Sequence, residues 1–117
     1  MAELTTHVLD TSRGMPAAGV AIQLYECRGD ARTLIKTAET NAGGRTSGPL
    51  LAGQALRVGV YELVFRAGDY FRAQGESLGD LPFLDEIVIR FGVSDATVHY
   101  HVPLLLAPYG YSTYRGS

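Results

Sequence analysis

His99-Tyr100-His101-Val102-Pro103-Leu104-Leu105-Leu106 decides the fold class. His99, His101, Pro103 and Leu105 occupy alternate positions, and Tyr100, Val102, Leu104 and Leu106 occupy the others. Successive side chains of a strand point to opposite faces, so a period of two marks a half-buried strand. The period predicts a strand over Thr97–Leu106, with the tyrosine–valine–leucine face packed inward and both histidines on the outer face.

The same alternation recurs along the chain. Over Leu4–Asp10, residues Thr5, His7 and Leu9 share one face, and Thr6, Val8 and Asp10 the other. Ser12-Arg13-Gly14-Met15-Pro16 breaks that run. Val20–Cys27 is the next predicted strand, with Val20, Ile22 and Leu24 together, followed by Thr33–Ala38. Gly59–Phe65 is β-branched and aromatic, and Glu86–Phe91 continues the pattern. Gly110–Tyr114 forms a last strand after the Pro108-Tyr109 break. Ala67–Gly75 is the one segment that suits a helix, and it is short. Asn41-Ala42-Gly43-Gly44 has turn chemistry, since Asn and Gly tolerate positive φ, and it delivers Arg45. Seven to eight short strands at roughly ten-residue spacing predict an all-β antiparallel sandwich.

The chain of 117 residues forms one domain, residues 1–117. Hydrophobic residues make up 46% and charged residues 19%, a composition that excludes disorder. A net charge of -2 gives no footprint for nucleic acid or an anionic membrane. Cys27 is the single cysteine, so no internal disulfide forms, and it reads as a strand residue rather than a nucleophile. Met1–Thr6 has neither a basic region nor a long apolar run, which leads us to expect a cytoplasmic protein.

Functional groups concentrate in His7, Arg45, His99, His101 and the tail Tyr114-Arg115-Gly116-Ser117 with its carboxylate. His99-X-His101 could set two imidazoles side by side on a metal, but no acid or thiol lies nearby in sequence and HExxH spacing is absent. G-x-S-x-G and a glycine-rich phosphate loop before a helix are absent too. The set suits acid–base hydrolysis that needs no metal or cofactor. Imidazoles titrating near neutrality can activate water and protonate a leaving nitrogen, while a guanidinium fork can hold an acceptor-rich ring and an oxyanion.

Three stretches carry a family resemblance: Leu4-Thr5-Thr6-His7-Val8-Leu9-Asp10-Thr11-Ser12-Arg13-Gly14-Met15-Pro16-Ala17, Thr40-Asn41-Ala42-Gly43-Gly44-Arg45-Thr46, and His99-Tyr100-His101-Val102-Pro103 followed by Pro108-Tyr109-Gly110-Tyr111-Ser112-Thr113-Tyr114-Arg115-Gly116-Ser117. Together they resemble the 5-hydroxyisourate hydrolases, the transthyretin-related enzymes of urate breakdown. The resemblance implies a transthyretin-like two-sheet sandwich with one short helix, assembled as a homotetramer around a central channel. It implies hydrolysis of 5-hydroxyisourate at the N1–C6 bond, giving 2-oxo-4-hydroxy-4-carboxy-5-ureidoimidazoline. His7, Arg45 and His101 would be catalytic and would bind substrate together with Tyr114, Arg115, Gly116 and Ser117. Transthyretin itself carries thyroid hormone on this fold, so a small-molecule carrier without catalysis is the alternative.

Overall fold

The computed structural model describes all residues, Met1–Ser117. Nine strands and one helix follow in the order β1 (Glu3–Asp10), β2 (Met15–Pro16), β3 (Ala21–Arg28), β4 (Ala31–Glu39), β5 (Leu51–Ala52), β6 (Gly59–Arg66), α1 (Ala67–Ala73), β7 (Glu86–Val93), β8 (Tyr100–Ala107) and β9 (Gly110–Thr113). One sheet runs β2-β1-β8-β9, with β5 also pairing β1; the other runs β4-β3-β6-β7. The alternation read from the sequence fixes what lies between them. Leu4, Val8, Leu104 and Leu106 of the first sheet and Leu24, Leu63 and Phe65 of the second are fully buried. Each large aliphatic or aromatic side chain so buried contributes roughly 1.5–3 kcal/mol.

The sandwich differs from the antiparallel expectation at one ladder. β1 and β8 pair in parallel, with Thr5 opposite His101 and His7 opposite Pro103. Alternation shows which face a side chain takes and says nothing of a partner's direction; only a hairpin forces antiparallel pairing, and here nearly the whole chain lies between the partners. Two strands of two residues were not foreseen. Met15 and Pro16 turn back onto Asp10 and Leu9, and Leu51 and Ala52 pair with Leu4 and Glu3. Runs this short carry no period.

The predicted start of the β8 strand is three residues early. The Asp95 carboxylate accepts from the Thr97 amide and hydroxyl, a local turn that competes with the ladder and leaves His99 outside the strand. The helix occupies Ala67–Ala73 and halts before Gly75, whose φ is +88°. Its Tyr70 hydroxyl donates to the fully buried Asp10 at 2.8 Å. The Ser12 amide and hydroxyl and the Arg13 amide donate to that carboxylate's other oxygen. Burial and then the bond to Asp10 push the Tyr70 hydroxyl up to about 12. Asp10 is therefore a structural joint between β1 and α1, at the opposite end of β1 from Thr5. Cys27 is buried on β3 and free.

Candidate active site

Parallel pairing of β1 with β8 places Thr5 and His101 side by side on the outer face of the first sheet. Arg45 joins them through the turn before it. The Asn41 side-chain oxygen accepts from the Gly43 and Arg45 amides, and the Gly44 amide donates to the Asn41 carbonyl. Gly44 has φ +76°, and a Cβ there would run into the Val8 carbonyl. Glycine is therefore required for the turn to lie this close to β1. The turn docks through the Val8 amide on the Gly44 carbonyl at 2.8 Å, which sets Arg45 opposite His7.

The tail is shaped by a proline. Thr113 donates its hydroxyl to the Pro103 carbonyl, so that edge of β8 faces β9. A strand residue's amide and carbonyl share an edge, and Pro103 has no amide to offer there. The ladder stops at Leu104–Thr113 and resumes where the Gly116 amide donates to the His101 carbonyl at 2.7 Å. Tyr114 and Arg115 leave the sheet between these points.

Glu3, Thr5, Arg45, His99, His101 and Ser117 line a basin of about 450 Å³ with no apolar side chain in its wall. The three imidazoles are each tied at one nitrogen. His101 Nδ1 meets the Thr5 hydroxyl at 2.8 Å, His7 Nε2 donates to the Gly43 carbonyl at 2.8 Å, and His99 Nδ1 accepts from the Glu3 amide at 3.1 Å. His101 is half-buried, and its pKa lies below the usual 6.5. Burial disfavours the imidazolium first, the charges of Arg45 and His7 add to this, and hydrogen bonding to the Thr5 backbone opposes it. The imidazole is thus held in its neutral, basic form near neutrality. Arg45 makes no side-chain hydrogen bond or ion pair within the chain, so its fork is free to take a ligand.

The structure brings His101, Arg45 and Ser117 into one basin, with His7 at the Arg45 wall and Gly116 under the His101 ring. It does not bring Tyr114 and Arg115 there. They line a separate cavity of about 330 Å³ with Tyr100, Val102 and β7 residues Ile89 to Gly92. The Arg115 guanidinium stacks on Tyr100 at 4.4 Å from the ring centroid. The cause is the missing Pro103 donor, which turns those two residues out of the ladder. Thr5 and Glu3 belong to the basin although the sequence offered no chemistry for them; their signal was position, one register step from the histidines.

The HIUase/Transthyretin family model matches residues 4–116. The chain is 61% identical over 114 residues to "5-hydroxyisourate hydrolase 2" of Rhizobium meliloti, covering 97% of this chain and 95% of that protein. Its fold matches a crystal structure of (S)-allantoin synthase with a TM-score of 0.93 and 44% identity; 99% of this chain is covered, and it spans 44% of that longer chain. It also matches sea bream transthyretin in complex with thyroxine, with a TM-score of 0.87 and 30% identity over 98% of this chain and 95% of that one. A family model that runs from Leu4 of β1 to the glycine beneath His101 covers the sandwich and includes Thr5, Arg45, His99 and His101 of the basin: the chain belongs to the HIUase/Transthyretin family.

Proposed function

We propose that this chain hydrolyses 5-hydroxyisourate, with His101 as the general base and Arg45 as the oxyanion partner. The observation that carries the reading is the half-buried His101, its pKa lowered, beside the unpaired fork of Arg45. His101 takes a proton from water as the water oxygen bonds to the C6 carbonyl carbon. The carbonyl electron pair moves onto its oxygen, where Arg45 stabilises the negative charge. Collapse of that adduct breaks N1–C6, and the proton returns from His101 to N1, leaving an open ring with a carboxylic acid that ionises by releasing its own proton to solvent. No metal or cofactor is required for any of these steps. His7 has Nε2 committed to the Gly43 carbonyl, so Nδ1 is the nitrogen through which it would act on the substrate, as a ligand and as a proton donor when charged.

Ser117 and Gly116 complete the substrate-binding set in the basin. Tyr114 and Arg115, outside it in one chain, would reach substrate only across a subunit contact. A homotetramer with two-fold contacts belongs to the same reading, supported by Tyr109 and Tyr111, which stand exposed beside β8. A stable monomer by light scattering at micromolar concentration would overturn the assembly. The polar wall of the basin favours hydrolysis over carriage of an apolar aromatic ligand. The direct test follows the ultraviolet decay of freshly generated 5-hydroxyisourate. The protein should accelerate it, and chelator should leave the rate unchanged; a decay equal to that of the blank would refute the proposal.

A further inference from the structure

We propose that Thr5 is a positioning residue that holds His101 as the Nδ1–H tautomer, so that Nε2 is the nitrogen that receives the proton from water. This rests on the hydrolase reading and adds to it a residue and a tautomer.

The three imidazoles around the basin differ in what decides their protonation. His7 faces a carbonyl, which only accepts, so its Nε2 carries a proton. His99 faces an amide, which only donates, so its Nδ1 is the lone pair. His101 alone faces a hydroxyl, which can do either. Because Nδ1 is occupied by Thr5 at 2.8 Å, Nε2 is the ring nitrogen left open to water, and a neutral ring with a bare Nε2 carries its proton on Nδ1 and donates it to Oγ1. The bond then persists in both charge states. Nδ1–H donates to Thr5 whether the ring is neutral or charged, and the mobile proton enters and leaves at Nε2, which makes no hydrogen bond within the chain.

Geometry holds the ring in that pose from two sides. Thr5 and His101 are register partners on adjacent strands, so the hydroxyl is placed by sheet geometry and not by a loop. A β-branched side chain also has few χ1 choices on a strand. On the other side a Cβ at Gly116 would lie 2.5 Å from His101 Cδ2, so the ring sits against the tail backbone with no room to spare. A ring flip would exchange Nδ1 for Cδ2 against Thr5 and break the bond. Gly116 thereby acts as the floor that fixes where the ring lies, and the Thr5 bond selects which edge faces the strand.

The experiment compares wild type with Thr5→Val, which keeps the branched shape without the hydroxyl, and Thr5→Ser, which keeps the hydroxyl. Thr5→Ala serves as a second hydroxyl-free variant should valine disturb folding. Nitrogen-15 shifts of the His101 ring in the full chain without substrate should report Nδ1 protonated and Nε2 bare in wild type and Thr5→Ser. Thr5→Val should show a mixture of tautomers. Turnover of 5-hydroxyisourate should fall about tenfold in kcat for Thr5→Val, the scale on which partners that orient a functional imidazole act. KM should change far less, and Thr5→Ser should restore most of the rate. A wild-type His101 protonated at Nε2, or a Thr5→Val enzyme with unchanged kcat, would overturn the assignment. Absence of turnover in wild type would sink the hydrolase reading alone, and the tautomer measurement would still decide the role of Thr5.

Discussion

The outer faces of the two sheets carry similar side chains and treat them differently. On the second sheet, Glu62 of β6 lies between Arg32 of β4 and Arg90 of β7, each guanidinium 3.1 Å from one of its oxygens. Arg32 also stacks on Tyr25 at 4.1 Å from the ring centroid. Every charge in that group has its partner, so the cluster has nothing left to offer a ligand. On the first sheet, Arg45 has no carboxylate partner, and two of the imidazoles near it keep one nitrogen unbonded. Burial first, and then the charges of Arg45 and His7, raise the cost of protonating His101 and hold its pKa below 6.5. The contrast teaches that an inventory of charged residues does not locate a site. Unmet bonding capacity does.

The largest effect expected from breaking that contrast is at His101. His101→Asn should lower turnover at least about a hundredfold, the scale for removing a general base. His99→Asn should cost much less, because His99 is exposed and its Nδ1 only accepts from the Glu3 amide. Equal losses at the two positions, measured on the same substrate preparation, would contradict the assignment of the base.

A smaller effect concerns pH. The base must be neutral, and its folded pKa lies below 6.5, so the acid limb of kcat/KM should fall below that value. Replacing Arg45 with Gln removes a positive neighbour and should move the His101 titration upward, toward 6.5, in an NMR titration. Stability carries the same sign. Between the lowered folded pKa and 6.5 the unfolded chain binds the His101 proton more readily than the folded one. The fold therefore loses stability as pH falls through that window. A downward shift in the Arg45→Gln variant would show that the charge coupling is misassigned.

The smallest effect lies on the paired face. Glu62→Gln removes a carboxylate shared by two solvent-exposed arginines, and exposed ion pairs contribute about 0.2–1 kcal/mol each. Denaturant midpoints should move by little more than that. A loss of several kcal/mol would mean that the cluster is buried in the working assembly.

Much of this was legible in the sequence where a period existed to be read. The alternation over His99–Leu106 places His101 on an outer face, and that over Leu4–Asp10 puts Thr5 and His7 on one face together; the observed burial of Val8, Tyr100 and Leu104 agrees. Asn41–Gly44 was readable as the turn that carries Arg45. Direction was not readable, because a period of two is the same for a parallel and an antiparallel partner, and the adjacency of Thr5 and His101 depends on direction. The course of the tail was also hidden. Pro103 looks like an ordinary member of an apolar run until β9 lies against its edge and finds no amide. The family resemblance groups Tyr114 and Arg115 with Gly116 and Ser117, and that gap in the ladder separates them within one chain.

The claim at the centre of this account is that the unpaired face of the first sheet performs the hydrolysis. It is tested most directly by the decay of fresh 5-hydroxyisourate under equal concentrations of wild type, Arg45→Ala and Glu62→Gln. Both substitutions remove one charge from an outer face, but only one of them from a group without a partner. Wild type and Glu62→Gln should accelerate the decay equally, and Arg45→Ala should be slower by about a hundredfold or more, as for the loss of an oxyanion donor. An Arg45→Ala protein as fast as wild type, or a Glu62→Gln protein as slow as Arg45→Ala, would contradict it.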